Sequence, residues 1–196
     1  MRICVYAGSN PGADPAYAEA AADLARLLAQ RGIGVVYGGA HRGLMGILAD
    51  AALEAGGAVI GVMPQALVDR EIAHTGLTEL HVVGSMHGRK ALMAELSDGF
   101  VALPGGAGTL EELIEVYTWS QLGLHDKPMG VLNVLGYYDG LAALLDHAVR
   151  EGFLRPQHRA AMHSAATPAE LLGLFDGWRP ATVGKWIDRT EPAPRA

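Results

Sequence analysis

Short apolar runs that end in glycine turns and lead into helical segments recur along this 196-residue chain. The clearest case is the apolar run at residues 100–103, which is followed by the glycine-rich turn 104–108 and then by apolar residues at helical spacing. Apolar runs without a clean alternation are typical of strands that are buried on both faces of a parallel sheet. The chain therefore predicts an α/β fold, a Rossmann-like doubly wound parallel sheet with helices on both faces.

The predicted elements alternate along the chain. Strands are expected at residues 2–7, 33–37, 58–62, 79–83, 100–103, 128–133 and 162–165. Helices are expected at residues 15–31, 43–54, 86–97 and 138–151. Two more helices are expected, one from the turn 104–108 to residue 122 and one that begins at Thr167. Residues 64–78 are expected to be a loop with room for a helical turn. Residues 1–178 are predicted to form a single domain, and residues 179–196, which contain Pro180, Pro192 and Pro194, a loosely held tail.

Composition excludes several classes of protein. Hydrophobic residues make up 50% of the chain and the net charge is −6, so a folded domain is expected and a general binder of nucleic acid or of membrane surfaces is not. The single cysteine, Cys4, excludes a disulfide framework and a cysteine-based zinc site within one chain. Neither an N-terminal signal nor an apolar run of bilayer length is present, and we expect a cytoplasmic protein.

The turn 104–108 and the residues that follow it predict a phosphate site. Glycines let backbone N–H groups approach an anion, and the free N–H groups of a first helical turn carry partial positive charge. Unlike most phosphate loops, this one has carboxylates, Glu111 and Glu112, at its helical end, which suggests chemistry on the bound molecule. The alternative is structural, because Thr109–Glu112 also matches a capping box, in which the glutamate bonds back to the helix start.

A second candidate segment is Ser85-Met86-His87-Gly88-Arg89-Lys90, after the fourth predicted strand. It would lie next to the fifth strand if those two strands were neighbours. Arg89 and Lys90 fall in the first helical turn, where a cation opposes the helix dipole. An anionic ligand or a facing carboxylate is therefore expected, with a solvated pair of cations as the alternative.

Familiar cofactor and catalytic motifs are missing. The first turn, residues 8–12, does not match the Gly-x-Gly-x-x-Gly fingerprint of NAD and FAD proteins, and the Gly-x-x-x-x-Gly-Lys motif of P-loop proteins does not occur. The histidines show no metal-binding spacing such as His-Glu-x-x-His, and no serine lies in a Gly-x-Ser-x-Gly elbow. No cofactor and no metal are expected.

The two segments resemble the motifs of one family. Residues 104–112 resemble the PGGxGTxxE signature of the LOG ("Lonely guy") proteins, and residues 85–90 resemble their SMHxRK motif. The resemblance continues through residues 38–46, 121–128, 136–138 and 151–153, and so covers roughly residues 1–178. Two departures are Ala107, where many members carry Tyr, and Gly88, where Glu or Gln is frequent.

The resemblance implies hydrolysis of the N-glycosidic bond of adenosine 5′-monophosphate or an N6-modified form of it, giving a free base and ribose 5-phosphate. Arg89 and Glu112 would be the catalytic pair, the turn would hold the 5′-phosphate, Lys90 and Thr118 would lie near it, and Glu71 would contact the purine. The substrate-binding positions carried over from the family are Ser9, Gly39, Glu71, Met86, Lys90, Gly105, Gly106, Ala107, Gly108, Thr109 and Thr118. Family members of this length commonly form homodimers, and a homodimer is expected.

Two other functions are conceivable for such a chain. The family is often labelled lysine decarboxylase, an activity that would need a lysine for pyridoxal phosphate and a larger chain around the cofactor. The sequence does not favour this activity, because Lys90 lies in an Arg-Lys helix start with no evident cofactor architecture around it. A noncatalytic Rossmann-like protein that senses or carries a nucleotide could use the same cleft. Turnover distinguishes this second alternative from a phosphoribohydrolase.

Overall fold

The computed structural model describes residues 1–70, 72–180 and 184 of the chain. In this part, strands and helices alternate as expected. The strands are β1 (Arg2–Tyr6), β2 (Gly34–Tyr37), β3 (Val59–Pro64), β4 (Glu79–Val83), β5 (Gly99–Ala102), β6 (Met129–Leu132) and β7 (Met162–Ala165). The helices are α1 (Pro15–Gln30), α2 (Gly43–Glu54), α3 (Gln65–Val68), α4 (Met86–Glu95), α5 (Ala107–Gln121), α6 (Asp139–Arg150), α7 (Pro156–Ala160) and α8 (Pro168–Asp176), with a 3₁₀ turn at Val134–Gly136.

The described strands form one parallel sheet in the order β4-β3-β2-β1-β5-β6-β7. One core lies between the sheet and helices α1, α2 and α8, and a second lies between the opposite face and helices α4, α5 and α6. This confirms the doubly wound α/β prediction. The strand order reverses between β1 and β5, which is the point where such sheets bind ligands.

Several details differ from the sequence prediction. The short helix α3 is the helical turn for which the loop at residues 64–78 had room, whereas α7 was not expected. Strand β4 lies at an edge of the sheet and is not a neighbour of β5, because β3, β2 and β1 lie between them. Helix α4 therefore crosses the sheet to connect them, and this crossover brings it beside α5.

The last helix begins as its sequence predicts. Thr167 Oγ1 accepts a hydrogen bond from the Glu170 N–H, and the Glu170 carboxylate accepts one from the Thr167 N–H. The predicted tail falls largely outside the described residues, which include only Arg179, Pro180 and Gly184 of it. Among the described helices, none is both long and apolar enough to cross a membrane.

Candidate active site

Two glycine turns meet where the strand order reverses. Strands β1 and β5 are parallel neighbours, and the turns after them are joined by a hydrogen bond of 3.1 Å from the Gly8 N–H to the Pro104 carbonyl. The Leu44 N–H, at the start of α2, donates to the Gly8 carbonyl at 3.0 Å. The carboxyl ends of the central strands thus form one wall of a cleft.

The three glycines of the second turn have different surroundings. A Cβ atom added at Gly105 would lie 2.2 Å from Thr109 Oγ1 and 2.9 Å from the Gly8 nitrogen, so glycine is required there by the packing of the protein. A Cβ atom at Gly106 or Gly108 would meet no protein atom within 4 Å. The space beside these two glycines is open to a ligand.

Helix α5 begins at Ala107, with Gly106 as its N-cap and no side chain capping it. The structural alternative, a capping box at Thr109–Glu112, is therefore wrong, because both residues lie inside the helix. Thr109 is buried against Gly105 instead. The N–H groups of the first turn are left without a side-chain partner, which leaves them available to an anion.

The Arg89 side chain is held by three neighbours in a buried position. Its Nε donates to the Val62 carbonyl at 3.0 Å, which ties α4 to the end of β3. One of its terminal nitrogens lies only 1.8 Å from the place that a Cβ atom on residue 38 would occupy, so only glycine there leaves room for the guanidinium. The other terminal nitrogen lies 3.4 Å from Glu112 Oε1.

Glu112 faces Arg89 across the cleft and is itself largely buried. The side chains of Arg89 and Glu112 are only 10% and 13% exposed. Burial raises the pKa of the Glu112 carboxyl above its ordinary value, and the Arg89 charge opposes this increase. A carboxylate in such a place can stabilise positive charge that develops on a bound molecule.

Lys90 contacts carboxylates rather than open solvent. Its Nζ donates to Glu111 at 2.5 Å and to Glu115 at 3.0 Å, and its side chain is only 9% exposed. The facing carboxylates that the sequence predicts for Arg89 and Lys90 are thus present. The assignment of Lys90 to a substrate phosphate stays a prediction.

A cavity of about 260 Å³ joins these groups. The predicted site residues that line it are Ser9, Met86, Arg89, Gly106, Ala107, Gly108, Thr109 and Glu112. A second cavity of about 240 Å³ shares Ser9 and Gly106 with the first and is also lined by Tyr17 and Tyr137. Most of the site residues predicted from the sequence therefore lie around one cleft in the fold.

Other predicted positions lie apart from this cavity or outside the described residues. Thr118 lies nine residues beyond Thr109 on α5, about 13 Å along the helix axis at 1.5 Å per residue, and its hydroxyl donates to the Ile114 carbonyl. The structure therefore does not bring Thr118 to the glycine turn of its own chain. Glu71 lies outside the described residues. The Gly39 carbonyl accepts a hydrogen bond of 2.8 Å from the His74 N–H, which fixes the segment after Glu71 beside β2.

Sequence reasoning missed Gly38 and Glu115 as contributors to the site. Gly38 gives the close approach that Arg89 needs, and Glu115 is the second partner of Lys90. The signal for Glu115 was present, because Glu111 and Glu115 are spaced to share one face of a helix. The signal for Gly38 was weaker, since a glycine after a strand usually serves a turn.

The sequence comparisons identify relatives of this chain. The family profile described as "Possible lysine decarboxylase" matches residues 45–175. A cytokinin riboside 5′-monophosphate phosphoribohydrolase of Arabidopsis thaliana is 48% identical over 183 residues, covering 93% of this chain and 80% of the relative. A probable enzyme of the same name from Oryza sativa subsp. japonica is 52% identical over 171 residues, covering 87% of this chain and 77% of the relative. The chain belongs to this family, the LOG proteins.

Solved structures show how widely the fold of the family is shared. The molybdenum cofactor binding protein of Rippkaea orientalis superposes with a TM-score of 0.67 at 22% identity, covering 90% of this chain and 95% of that one. The molybdenum cofactor carrier protein of Chlamydomonas reinhardtii gives a TM-score of 0.66 at 22% identity, covering 90% and 96%. At this identity the likeness shows the fold alone.

The close packing of the Arg89 guanidinium against Gly38 gives a first testable prediction. We expect Gly38→Ala to fold but to displace the guanidinium from Glu112, because the new methyl group would overlap a terminal nitrogen. Displacement of the Arg89 charge then raises the pKa of Glu112 further. Carboxyl ¹³C NMR titration of labelled glutamate measures this shift.

The matched control is Gly34→Ala at the start of β2, the strand that Gly38 follows. The nearest atom to the added Cβ there would belong to the flexible Arg2 side chain, at 3.4 Å. This variant should titrate like the wild type. An unchanged Glu112 titration in Gly38→Ala would contradict the claim that Gly38 leaves the space in which Arg89 pairs with Glu112.

Proposed function

We infer that this chain is a phosphoribohydrolase that cleaves the N-glycosidic bond of a nucleoside 5′-monophosphate, AMP or its N6-modified form, to free base and ribose 5-phosphate. The observation that carries this inference is the buried Arg89–Glu112 pair beside the uncapped start of α5. Relatives that are 48% and 52% identical over most of the chain are phosphoribohydrolases by name. The chain is accordingly an enzyme, a hydrolase of N-glycosidic bonds.

The phosphate is assigned to the start of α5. Open space at Gly106 and Gly108 lets the ligand approach the backbone, and the first N–H groups of the helix supply donors and partial positive charge. Thr109 lines the same cavity, as does Ser9 from the first glycine turn. Ala107 leaves this edge of the cavity open where many family members carry a tyrosine.

The ribose is then placed between the phosphate site and the Arg89–Glu112 pair. Departure of the base builds positive charge at C1′, which the Glu112 carboxylate stabilises while it orients a water molecule. The water adds its hydroxyl to C1′ as the bond to N9 breaks, and the base leaves with the bonding electron pair and gains a proton. Arg89, which is fixed by Val62 and Gly38, positions the Glu112 carboxylate relative to the substrate.

The base would extend toward α4. Met86 lines the cavity at the first position of α4 and is 45% exposed, so it offers an apolar surface to a purine. The resemblance also assigns Gly39 and Glu71 to the substrate, and Glu71 lies outside the described residues. Gly105 packs closely against Thr109 and so stabilises the turn.

The lysines that the structure describes do not favour a decarboxylase. Lys90 is paired with two carboxylates, which raises its pKa and keeps it protonated. Lys127 donates to the Ala94 carbonyl and does not line the cavity. Neither lysine presents a free amine to the cleft, whereas a hydrolase needs only the groups already described.

The test is release of free base and ribose 5-phosphate from AMP and from isopentenyladenosine monophosphate. We expect the wild type to release both products, and Glu112→Ala and Arg89→Ala each to lower kcat by about 10²-fold or more, because each removes stabilisation of the transition state. Nucleotide binding by Glu112→Ala should persist, since the phosphate site lies on backbone groups. Binding without any release by the wild type would indicate the noncatalytic nucleotide carrier instead.

We also propose a cytoplasmic homodimer whose interface includes the exposed leucines at the two ends of α5. Leu110, Leu122 and Leu124 are 36%, 46% and 70% exposed, which is a large apolar area for one helix and the turn after it. Light scattering should give twice the mass of one chain, and Leu122→Glu should lower it toward the monomer. Leu174→Glu is the control, because Leu174 is similarly exposed at 43% but lies on α8, on the opposite face of the sheet. A monomeric wild type would contradict the dimer.

A further inference from the structure

A compact group of charges joins α4 to α5 at the edge of the cleft. Helix α4 contributes two cations and α5 contributes three carboxylates. These residues are Arg89, Lys90, Glu111, Glu112 and Glu115. Arg89 and Glu112 are assigned above to the reaction, whereas Lys90 and Glu115 have not yet been given a role that their geometry supports.

Lys90 lies between two carboxylates that would otherwise repel each other. Glu111 and Glu115 are four residues apart on α5, so they share one face of the helix, where like charges are destabilising. The Lys90 ammonium donates to Glu111 at 2.5 Å and to Glu115 at 3.0 Å. The other oxygen of Glu115 is buried and finds no hydrogen-bond donor among the described residues, so this carboxylate depends on Lys90.

We propose that Lys90 is a positioning residue that clamps Glu111 and Glu115 and so holds Glu112 opposite Arg89, rather than a ligand of the substrate phosphate. The catalytic role of the Arg89–Glu112 pair in this proposal rests on the proposed function. The clamp itself rests on the contacts of Lys90 with Glu111 and Glu115.

The clamp fixes the register between the two helices. Arg89 and Lys90 are consecutive on α4, and their partners Glu112 and Glu111 are consecutive on α5. A slide of α5 along α4 that separates one pair therefore separates the other as well. The Arg89–Glu112 pair is wide at 3.4 Å, whereas the Lys90 contacts with Glu111 and Glu115 are closer, at 2.5 and 3.0 Å.

The same cluster sets the electrostatic surroundings of Glu112. The groups that act on it come from α4, from α5 and from the strand beneath. The charged groups are Arg89, Lys90, Glu111 and Glu115. The titratable groups of the strand are Cys4 and Tyr6, whose own pKa values the Glu112 charge raises. After the effect of burial, Arg89 and Lys90 lower the pKa of Glu112, whereas Glu111 and Glu115 raise it. Removal of Lys90 and removal of the Glu115 charge should therefore move the titration of Glu112 in opposite directions.

The experiment measures AMP hydrolysis against pH in Lys90→Met, Lys90→Arg and Glu115→Gln. If Glu112 acts as a carboxylate, activity falls as pH drops through its pKa. We expect the acid limb of kcat to move to higher pH in Lys90→Met and to lower pH in Glu115→Gln. In Lys90→Met, kcat should fall about tenfold or more while KM changes by less than about threefold, and Lys90→Arg should recover part of kcat.

A phosphate ligand would behave differently. Lys90→Met would then raise KM for AMP about tenfold or more and weaken inhibition by ribose 5-phosphate in parallel, with kcat little changed. That result would overturn the proposal. The matched control is Lys127→Met, which removes an ammonium group whose one described hydrogen bond goes to the Ala94 carbonyl and should keep both the rate and the pH profile.

Thermal unfolding separates failure of the clamp from failure of the proposed function, because it needs no substrate. Lys90→Met should lower Tm in the wild-type background and lower it less in a Glu115→Gln background, since the bridged carboxylate is then already neutral. Equal losses in the two backgrounds would overturn the clamp even if the wild type released no base. If Lys90→Met does not fold, the comparison of Glu115→Gln with the wild type gives the pH shift, and an unmoved limb counts against the proposal.

Discussion

The cleft depends on how a few buried charges are paired. Arg89 and Glu112 are each little exposed, and a charge in such a place is costly unless an opposite charge or a hydrogen bond compensates it. The fold supplies this compensation through the Val62 carbonyl for Arg89 and through Arg89 for Glu112. The result is a carboxylate that is held in place, partly shielded from water and open to one cavity, which is what stabilisation of a cationic ribose requires.

Glycines make that pairing possible in two physically distinct ways. Gly38 and Gly105 are needed because another part of the protein occupies the place of a side chain, the Arg89 guanidinium in one case and Thr109 in the other. Gly106 and Gly108 face open space, which leaves room for a ligand to approach the backbone. The first kind builds the site, and the second kind leaves room for the proposed phosphate.

Much of the fold and the centre of the site could be predicted from sequence, because the signals are local. Apolar runs, glycine turns and helical spacing indicated the alternating elements, and the motifs around Arg89 and Glu112 indicated the pair. The features that could not be predicted depend on tertiary structure. The Thr109–Glu112 pattern suits a capping box with Thr109 as the N-cap, yet the N-cap is Gly106, three residues earlier. The partners of Lys90 depend on the crossover of α4, and Thr118 is separated from the turn by the rise of the helix that they share.

The central claim is that the start of α5 holds a phosphate and so orients the ribose at Glu112. The most direct test compares kcat/KM for AMP with that for adenosine, in the wild type and in Gly108→Ala, whose added methyl group enters the open space beside the turn without meeting protein. The account predicts that the wild type prefers AMP by about 10³-fold or more, because the bound phosphate contributes orientation to the reaction, and that Gly108→Ala loses most of this preference. Equal rates for AMP and adenosine in the wild type would contradict it.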